Sequence, residues 1–188
     1  PDLTTIRERL VDWRHRNPDA PRVLGLGWLF SSLPDGQPHR SQIDDLFPDV
    51  PVYLSASDLH STWVNSAALD ELGITDDTPD PVGGRFVRDA AGHATGLLLE
   101  MASFQYVMPL LLQADGATHD RRLAAAIASY HECGVTAAVD MAFDDDALAA
   151  VQRAERAGTL TAKLGAHWII HRSGDADAEL AEVHLAAE

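Results

Sequence analysis

Four side chains that could do chemistry, Asp58, His60, Trp63 and Asn65, fall within eight positions of the sequence. They follow an apolar run at residues 50–54, where a buried strand is expected to give way to a helix. Strand ends and helix starts are the places where α/β proteins present polar groups to ligands. We therefore expect a ligand-facing site in this segment.

His60 has two interpretations. Its ring could contact a substrate or a water molecule, or it could pair locally with Asp58, which would fix the imidazole tautomer at the start of a helix. A metal site needs three or four converging ligands, and this segment offers two at most. We assign no metal ligand and no catalytic residue within the chain.

Three further residues near these strands are candidates for substrate binding. The amide of Asn65 can both donate and accept hydrogen bonds, so it could orient a substrate amide. Trp63 offers a flat apolar wall, although its helical spacing with Ala67 and Leu69 also predicts a core residue. Trp28 follows Gly-Leu-Gly at a strand end, where a pocket wall and core packing are equally good interpretations.

Asp140 and His171 end two later strands of the predicted fold. Asp140 could orient a metal-bound histidine from a neighbouring strand, or it could cap the next helix beside the aspartates at 144–146. His167 and His171 have the spacing of zinc ligands on a helix, but in a strand four positions span ~13 Å. His171, at the carboxyl end, is the better candidate for an active-site rim. Glu100 closes a hairpin, and its role stays open.

The elements that must position these residues fall into two parts. The pattern of residues 1–115 predicts an α+β region with antiparallel character. Its expected elements are a helix from residue 3, strands at 22–30 and 52–56, a helix at 61–72, a hairpin of 84–89 with 93–100, and a helix at 102–112. Ser61 is expected to begin the helix at 61–72, and Gly73 to end it. Residues 116–188 predict alternating helices and strands at 120–133, 135–141, 145–157, 160–170 and from 175.

Strand–helix alternation of this kind indicates parallel βαβ units that are buried on both faces. Two strands cannot close a barrel, so residues 116–188 are expected to form a partial (β/α) barrel segment. The predicted fold class is α/β, an α+β region followed by that segment.

Composition excludes several kinds of partner. The formal net charge is -15, from 29 acidic and 14 basic residues, which argues against binding to nucleic acid. Cys133 is the single cysteine, so an intramolecular disulfide is excluded. No apolar run approaches the ~20 residues of a transmembrane helix, and a cytoplasmic location without membrane contact is expected. The sequence also lacks a P-loop, a Rossmann glycine fingerprint and a G-x-S-x-G elbow.

The stretch DLHSTWVNSAAL at residues 58–69 resembles D-x-H-x-x-W-x-N-S-x-A-L of amidohydrolase family 3, the family of YtcJ-like proteins and N-substituted formamide deformylases. Other matching stretches lie in the family's order at residues 17–19, 25–28, 80–84, 88–92, 95–100 and 134–136. Leu59 departs from the pattern, because many members carry glycine at this position.

The resemblance implies a metal-dependent hydrolase of non-peptide C–N bonds in a small-molecule amide or N-formyl substrate. It implies a divalent ion, expected to be zinc, whose ligands lie on strands outside this chain. Residues 1–115 would be an insertion that walls the active site. Because the chain starts without Met and stops within a helical pattern, we expect an internal fragment, inactive alone and with strand edges that favour homo-oligomers. The alternative is a noncatalytic α+β binding or oligomerisation domain derived from such an enzyme.

Overall fold

Helices and strands of the chain fall into two units, Pro1–Leu112 and Gln113–Glu188. They are described by a computed structural model, which covers residues 2–168 and 175–186. None of the helices in these ranges is long and apolar enough to cross a membrane.

The first unit combines five strands with five α-helices and two short 3₁₀ turns. In chain order these are α1 (Leu3–Arg16), β1 (Val23–Trp28), the 3₁₀ turns Phe30–Ser32 and Pro34–Gly36, α2 (Ser41–Asp44), β2 (Val52–Ala56), β3 (Ser61–Val64), α3 (Ser66–Leu72), β4 (Gly84–Arg88), β5 (Ala94–Glu100), α4 (Met101–Tyr106) and α5 (Met108–Leu112). The strands form one sheet in the order β1-β2-β3-β5-β4. Strand β1 runs parallel to β2, and the remaining pairs are antiparallel.

Apolar side chains cover both faces of this sheet. Along β2, Val52 and Leu54 belong to one core cluster and Tyr53 to the other, because successive side chains of a strand point to opposite faces. Leu97 and Leu98 on β5 divide in the same way. A sheet buried on both faces needs apolar residues at consecutive positions, which explains the continuous apolar run before the candidate site.

The predicted helix at residues 61–72 was wrong in its first turn. Residues 61–64 form β3, which is hydrogen-bonded between β2 and β5, and the helix begins only at Ser66. Asn65, not Ser61, is the N-cap, and its side chain accepts from the Ala68 N–H at 3.0 Å. Gly73 ends the helix in the left-handed conformation, with φ of 67°, as predicted.

In the second unit, helices and strands alternate as α6 (Gly116–Glu132), β6 (Ala137–Phe143), α7 (Asp145–Arg156), β7 (Lys163–Trp168) and α8 (Ala176–Ala186). Strands β6 and β7 pair in parallel, as the alternation predicted. Helix α6 begins four residues earlier than predicted, because Asp115 caps it by accepting from the Thr118 N–H.

The predicted α/β fold class is confirmed by these elements. The expected helix at 102–112 is two short helices, α4 and α5.

Candidate functional site

Asp58 organises the turn that joins β2 to β3. Its carboxylate accepts from the His60 N–H at 2.8 Å, the Ser61 N–H at 2.9 Å and the Ser61 hydroxyl at 2.8 Å. Burial alone would raise the pKa of Asp58, but the hydrogen bonds from His60 and Ser61 outweigh it, so its pKa lies below the usual range. The ionised carboxylate therefore fixes the backbone that carries His60.

Leu59 adopts a left-handed backbone conformation in this turn, with φ of 61°. A residue with a Cβ atom pays roughly 1–2 kcal/mol for that conformation, and glycine pays none. This geometry explains why glycine suits the position before His60. The Leu59 side chain is 62% exposed.

The ring of His60 is held by Glu100, at the end of β5. His60 Nδ1 lies 2.9 Å from Glu100 Oε2, and the Glu100 N–H donates to the His60 carbonyl at 2.8 Å. Phe104 on α4 meets the His60 ring edge to face, with ring centroids 5.3 Å apart. Of the two interpretations of His60, local pairing with Asp58 is therefore not observed, because Asp58 bonds the His60 N–H and Ser61, and Glu100 contacts the ring.

Glu100 also has an unusual backbone, with φ of 52° and ψ of -125°. This region is essentially reserved for glycine, and a residue held in it is strained by about 1–3 kcal/mol. One strained residue, Leu59, thus precedes an exposed imidazole–carboxylate pair, and the other, Glu100, belongs to it; the two side chains of the pair are 55% and 60% exposed. Such strain clusters at functional sites, which makes this pair the centre of the candidate site.

Asn65 lies outside this exposed pair, in the interior. Its Oδ1 accepts from the backbone N–H groups of Val52 and Ala68, and its Nδ2 donates to the carbonyls of Phe47 and Val50. All four hydrogen-bonding positions of the amide are used, and the residue is fully buried. The geometry does not support the expected contact with a substrate amide, and Asn65 acts by fixing the segment around α3.

Trp63 and Trp28 pack against each other in the core, with ring centroids 5.9 Å apart. Trp63 is fully buried, and its Nε1 has no hydrogen-bond partner among the described residues. Trp28 Nε1 donates to the Leu54 carbonyl at 2.8 Å. Trp28 also lines a cleft of about 200 Å³ with Trp13 and Leu24, so it is both a core residue and a pocket wall.

Asp140 does not end its strand as expected, because β6 continues to Phe143. Its carboxylate is exposed and accepts from the Ala142 N–H at 2.9 Å. Asp144 caps α7 by accepting from the Ala147 N–H, which confirms the capping prediction at this residue, and Asp145 and Asp146 lie in the helix's first turn. Asp140 also lines a cleft of about 510 Å³ in the second unit. His171, the other expected rim residue, lies outside the described residues.

The described residues do not fit a metal site. No three His, Cys, Asp or Glu side chains within them converge on a point where a metal ion could be held.

Comparison with known proteins decides the family. The model of the amidohydrolase family matches residues 1–186. The chain belongs to this family. Among amidohydrolase relatives, N-substituted formamide deformylase of Arthrobacter pascens is 40% identical over 107 residues, which are 55% of this chain and 20% of that protein. The exoenzymes regulatory protein AepA of Pectobacterium carotovorum subsp. carotovorum is 31% identical over 144 residues, 74% of this chain and 31% of that protein.

A solved structure shows the same fold. The match to the uncharacterized metal-dependent hydrolase of Pyrococcus horikoshii OT3 covers 89% of this amidohydrolase chain and 31% of the hydrolase chain. The TM-score is 0.58, and the sequence identity is 20%. The chain spans only about a fifth to a third of the length of the relatives it matches.

Sequence reasoning singled out His60 but missed its partners, Glu100 and Phe104. Both lie on other elements, 40 or more positions along the chain. The hydroxyls of Thr62 and Ser103, 2.6 Å apart, tie β3 to α4 beside them. The pairing of β3 with β5 would have to be known to predict that Glu100 lies beside His60. A four-residue strand is too short for its pairing partner to be predicted from the sequence pattern.

Proposed function

We propose that the complete protein is a metal-dependent hydrolase that cleaves a C–N bond outside peptides, in an amide or N-formyl compound. Membership of the amidohydrolase family supports this proposal. It is also supported by the name of one relative, N-substituted formamide deformylase, and by that of a structural neighbour, a metal-dependent hydrolase.

Within that enzyme, residues 1–115 serve as a cap or insertion region beside the substrate, and residues 116–188 as a partial barrel segment. His60 is the residue we place in contact with the substrate. One observation carries this assignment, namely an exposed imidazole that follows the strained Leu59 and is held by Glu100, whose own backbone is strained. Trp63 and Asn65 are buried and contribute through the packing of β3 and the start of α3, and Trp28 borders a separate apolar cleft.

The metal ion, with zinc as the proposed identity, is held by residues other than those described here. Its ordinary contribution in hydrolases is to activate a water molecule and polarise the carbonyl. We propose that the 188-residue chain is inactive alone and self-associates through the open edge of β1, and that the complete protein is cytoplasmic. Its net charge of -15 makes nucleic acid an unfavourable partner.

The experiment is an assay of the protein encoded by the complete reading frame around this segment. It is incubated with a panel of N-alkyl and N-aryl formamides, and released formate and amine are both measured. We expect hydrolysis that is lost after treatment with a chelator and restored by Zn²⁺ or another divalent ion. Equal hydrolysis before and after complete metal removal would contradict a metal-dependent enzyme.

Absence of amide hydrolysis over a broad panel would instead favour the noncatalytic binding or oligomerisation domain. The 188-residue chain, assayed in parallel, is expected to show none in either case.

A further inference from the structure

The first unit contains two exposed histidine–carboxylate pairs of similar geometry. His60 Nδ1 lies 2.9 Å from Glu100 Oε2, and His93 Nδ1 lies 2.7 Å from Asp76 Oδ2. All four side chains are between 42% and 60% exposed. The pairs therefore differ little in exposure, and a difference in function must come from their remaining polar atoms.

The second carboxylate oxygen distinguishes the two pairs. Asp76 Oδ1 accepts from the Ala94 N–H at 2.7 Å, so both oxygens of this carboxylate tie the loop before β4 to the start of β5. The hydrogen bond of Glu100 is made by Oε2 alone, and Oε1 has no partner within residues 2–168 and 175–186. Glu100 also has no Arg or Lys ion-pair partner in those ranges. The negative charge of Glu100 is therefore available to a ligand.

The ring of His60 adds a second acceptor. An ionised carboxylate can only accept hydrogen bonds, so Glu100 requires the proton of a neutral His60 to be on Nδ1. Nε2 then presents a lone pair, and it too has no hydrogen-bond partner in the described part of the chain. The pair therefore offers two acceptors and one negative charge, a combination that suits a group rich in N–H donors.

Apolar surface lies beside these acceptors. The Phe104 ring meets the His60 ring at 5.3 Å, and the neighbouring Leu59 side chain is 62% exposed. A ligand that combines a cationic nitrogen with a hydrocarbon substituent matches this arrangement better than an anion or a sugar.

We propose that the His60–Glu100 pair binds an organic ammonium group, with Glu100 as the residue that determines specificity for it. This inference rests on the proposed function in one respect, since hydrolysis of an N-alkyl amide releases an alkyl amine, which is protonated near neutral pH. The hydrocarbon substituent of that amine would lie against Phe104 and Leu59.

The test is a titration of the ¹⁵N-labelled 188-residue chain with benzylammonium chloride, followed by the ¹⁵N signals of the His60 ring. Benzyl alcohol, which has the same shape and no charge, is the matched ligand. We expect saturable shifts at His60 with the ammonium ion and none with the alcohol. Glu100→Gln should weaken binding up to about fivefold, the upper end of the effect of losing one exposed ion pair. Asp76→Asn, the same change in the other pair, should leave the affinity unaltered.

Equal shifts with both ligands, shifts centred on His93, or unchanged affinity in Glu100→Gln would each overturn the proposal. Spectra of the variants without ligand establish that each remains folded. Because this titration measures binding without catalysis, it is separable from the hydrolysis assay. Binding by a protein that hydrolyses no amide would contradict the proposed function alone, and hydrolysis without ammonium binding would contradict this inference alone.

Discussion

Asn65 connects three backbone segments through one buried amide, and Asn65→Ala tests that role. The change removes four hydrogen bonds, one of which is the N-cap interaction of α3. We expect the free energy of unfolding of the first unit to fall by about 2–4 kcal/mol, because buried backbone groups lose their partners. Urea unfolding followed by tryptophan fluorescence measures this fall. Asn17→Ala, an exposed asparagine at the end of α1, is the control and should cost well under half as much.

For single residues, the sequence identified which side chains are unusual more successfully than it predicted the role of each. His60 and Asn65 stand out by type and spacing, and Asn before Ser-Ala-Ala is a good N-cap signal. The cap was nevertheless predicted at Ser61, since Trp63 and Leu69 also match a helical period. His60 is exposed and Asn65 is buried, and this difference decides their roles. The burial depends on pairing with strands β2 and β5, which the sequence pattern around His60 does not reveal.

Strand β5 passes too close to β3 to carry a side chain at Gly96. A Cβ atom there would lie 2.2 Å from the Val64 carbonyl oxygen, and φ is 87°. We expect Gly96→Ala to lower the free energy of unfolding by about 3 kcal/mol or more, from overpacking and strain together. Gly92→Ala is the matched control, with φ of 91° and no atom within 4 Å of the added Cβ. If both variants lose the same stability, close packing is not what requires glycine at residue 96.

The β4–β5 hairpin should show a pH-dependent stability from Asp76 and His93. The hydrogen bond to Asp76 and the charges of Asp76 and Asp89 raise the pKa of His93. The backbone hydrogen bond from Ala94, followed by the contact with His93, lowers the pKa of Asp76. A raised His pKa gives stability that is full below about pH 6.5 and lost as the pH rises through the folded-state value. A lowered Asp pKa gives stability that is present above about pH 4 and lost on acidification.

The pair therefore stabilises the hairpin most between about pH 4 and 6.5. Asp76→Asn should reduce stability near pH 5 and have a smaller effect at pH 8, and NMR titration should show a lower pKa for His93 in this variant. Asp77→Asn changes the neighbouring carboxylate, which makes no hydrogen bond within the described residues, and should give no such pH dependence. An equal loss for Asp76→Asn at both pH values would refute the assigned ion pair.

Elements with a clear period were predictable from sequence. The β2 strand, the hairpin of β4 and β5, and helices α1 and α7 follow apolar periodicity and turn residues, and their positions agree with the structure within a few residues. The four-residue β3 was missed because its Trp and Val also suit the helix that follows. The start of α6 was missed because Asp115, a cap, precedes a glycine.

The β1 edge of the five-stranded sheet is exposed. Strand β1 is terminal in that sheet, and Leu24 and Leu26 are 49% and 74% exposed. Exposed apolar edge strands pair with other chains. We expect self-association of the 188-residue chain in sedimentation velocity, abolished by Leu26→Lys. Val82→Lys, at an exposed valine outside the strands, is the control and should associate normally. A monomer at all concentrations would refute this use of the edge.

In the proposed function His60 faces the substrate of a C–N hydrolase, and steady-state kinetics of two variants of the complete protein can show whether it does. His60→Gln and His93→Gln each remove one exposed histidine that is paired with a carboxylate. Loss of one substrate hydrogen bond should lower kcat/KM by about three- to tenfold in His60→Gln, while His93→Gln stays close to the wild type. Equal kcat/KM in both variants and the wild type, with hydrolysis intact, would contradict the placement of His60 at the substrate.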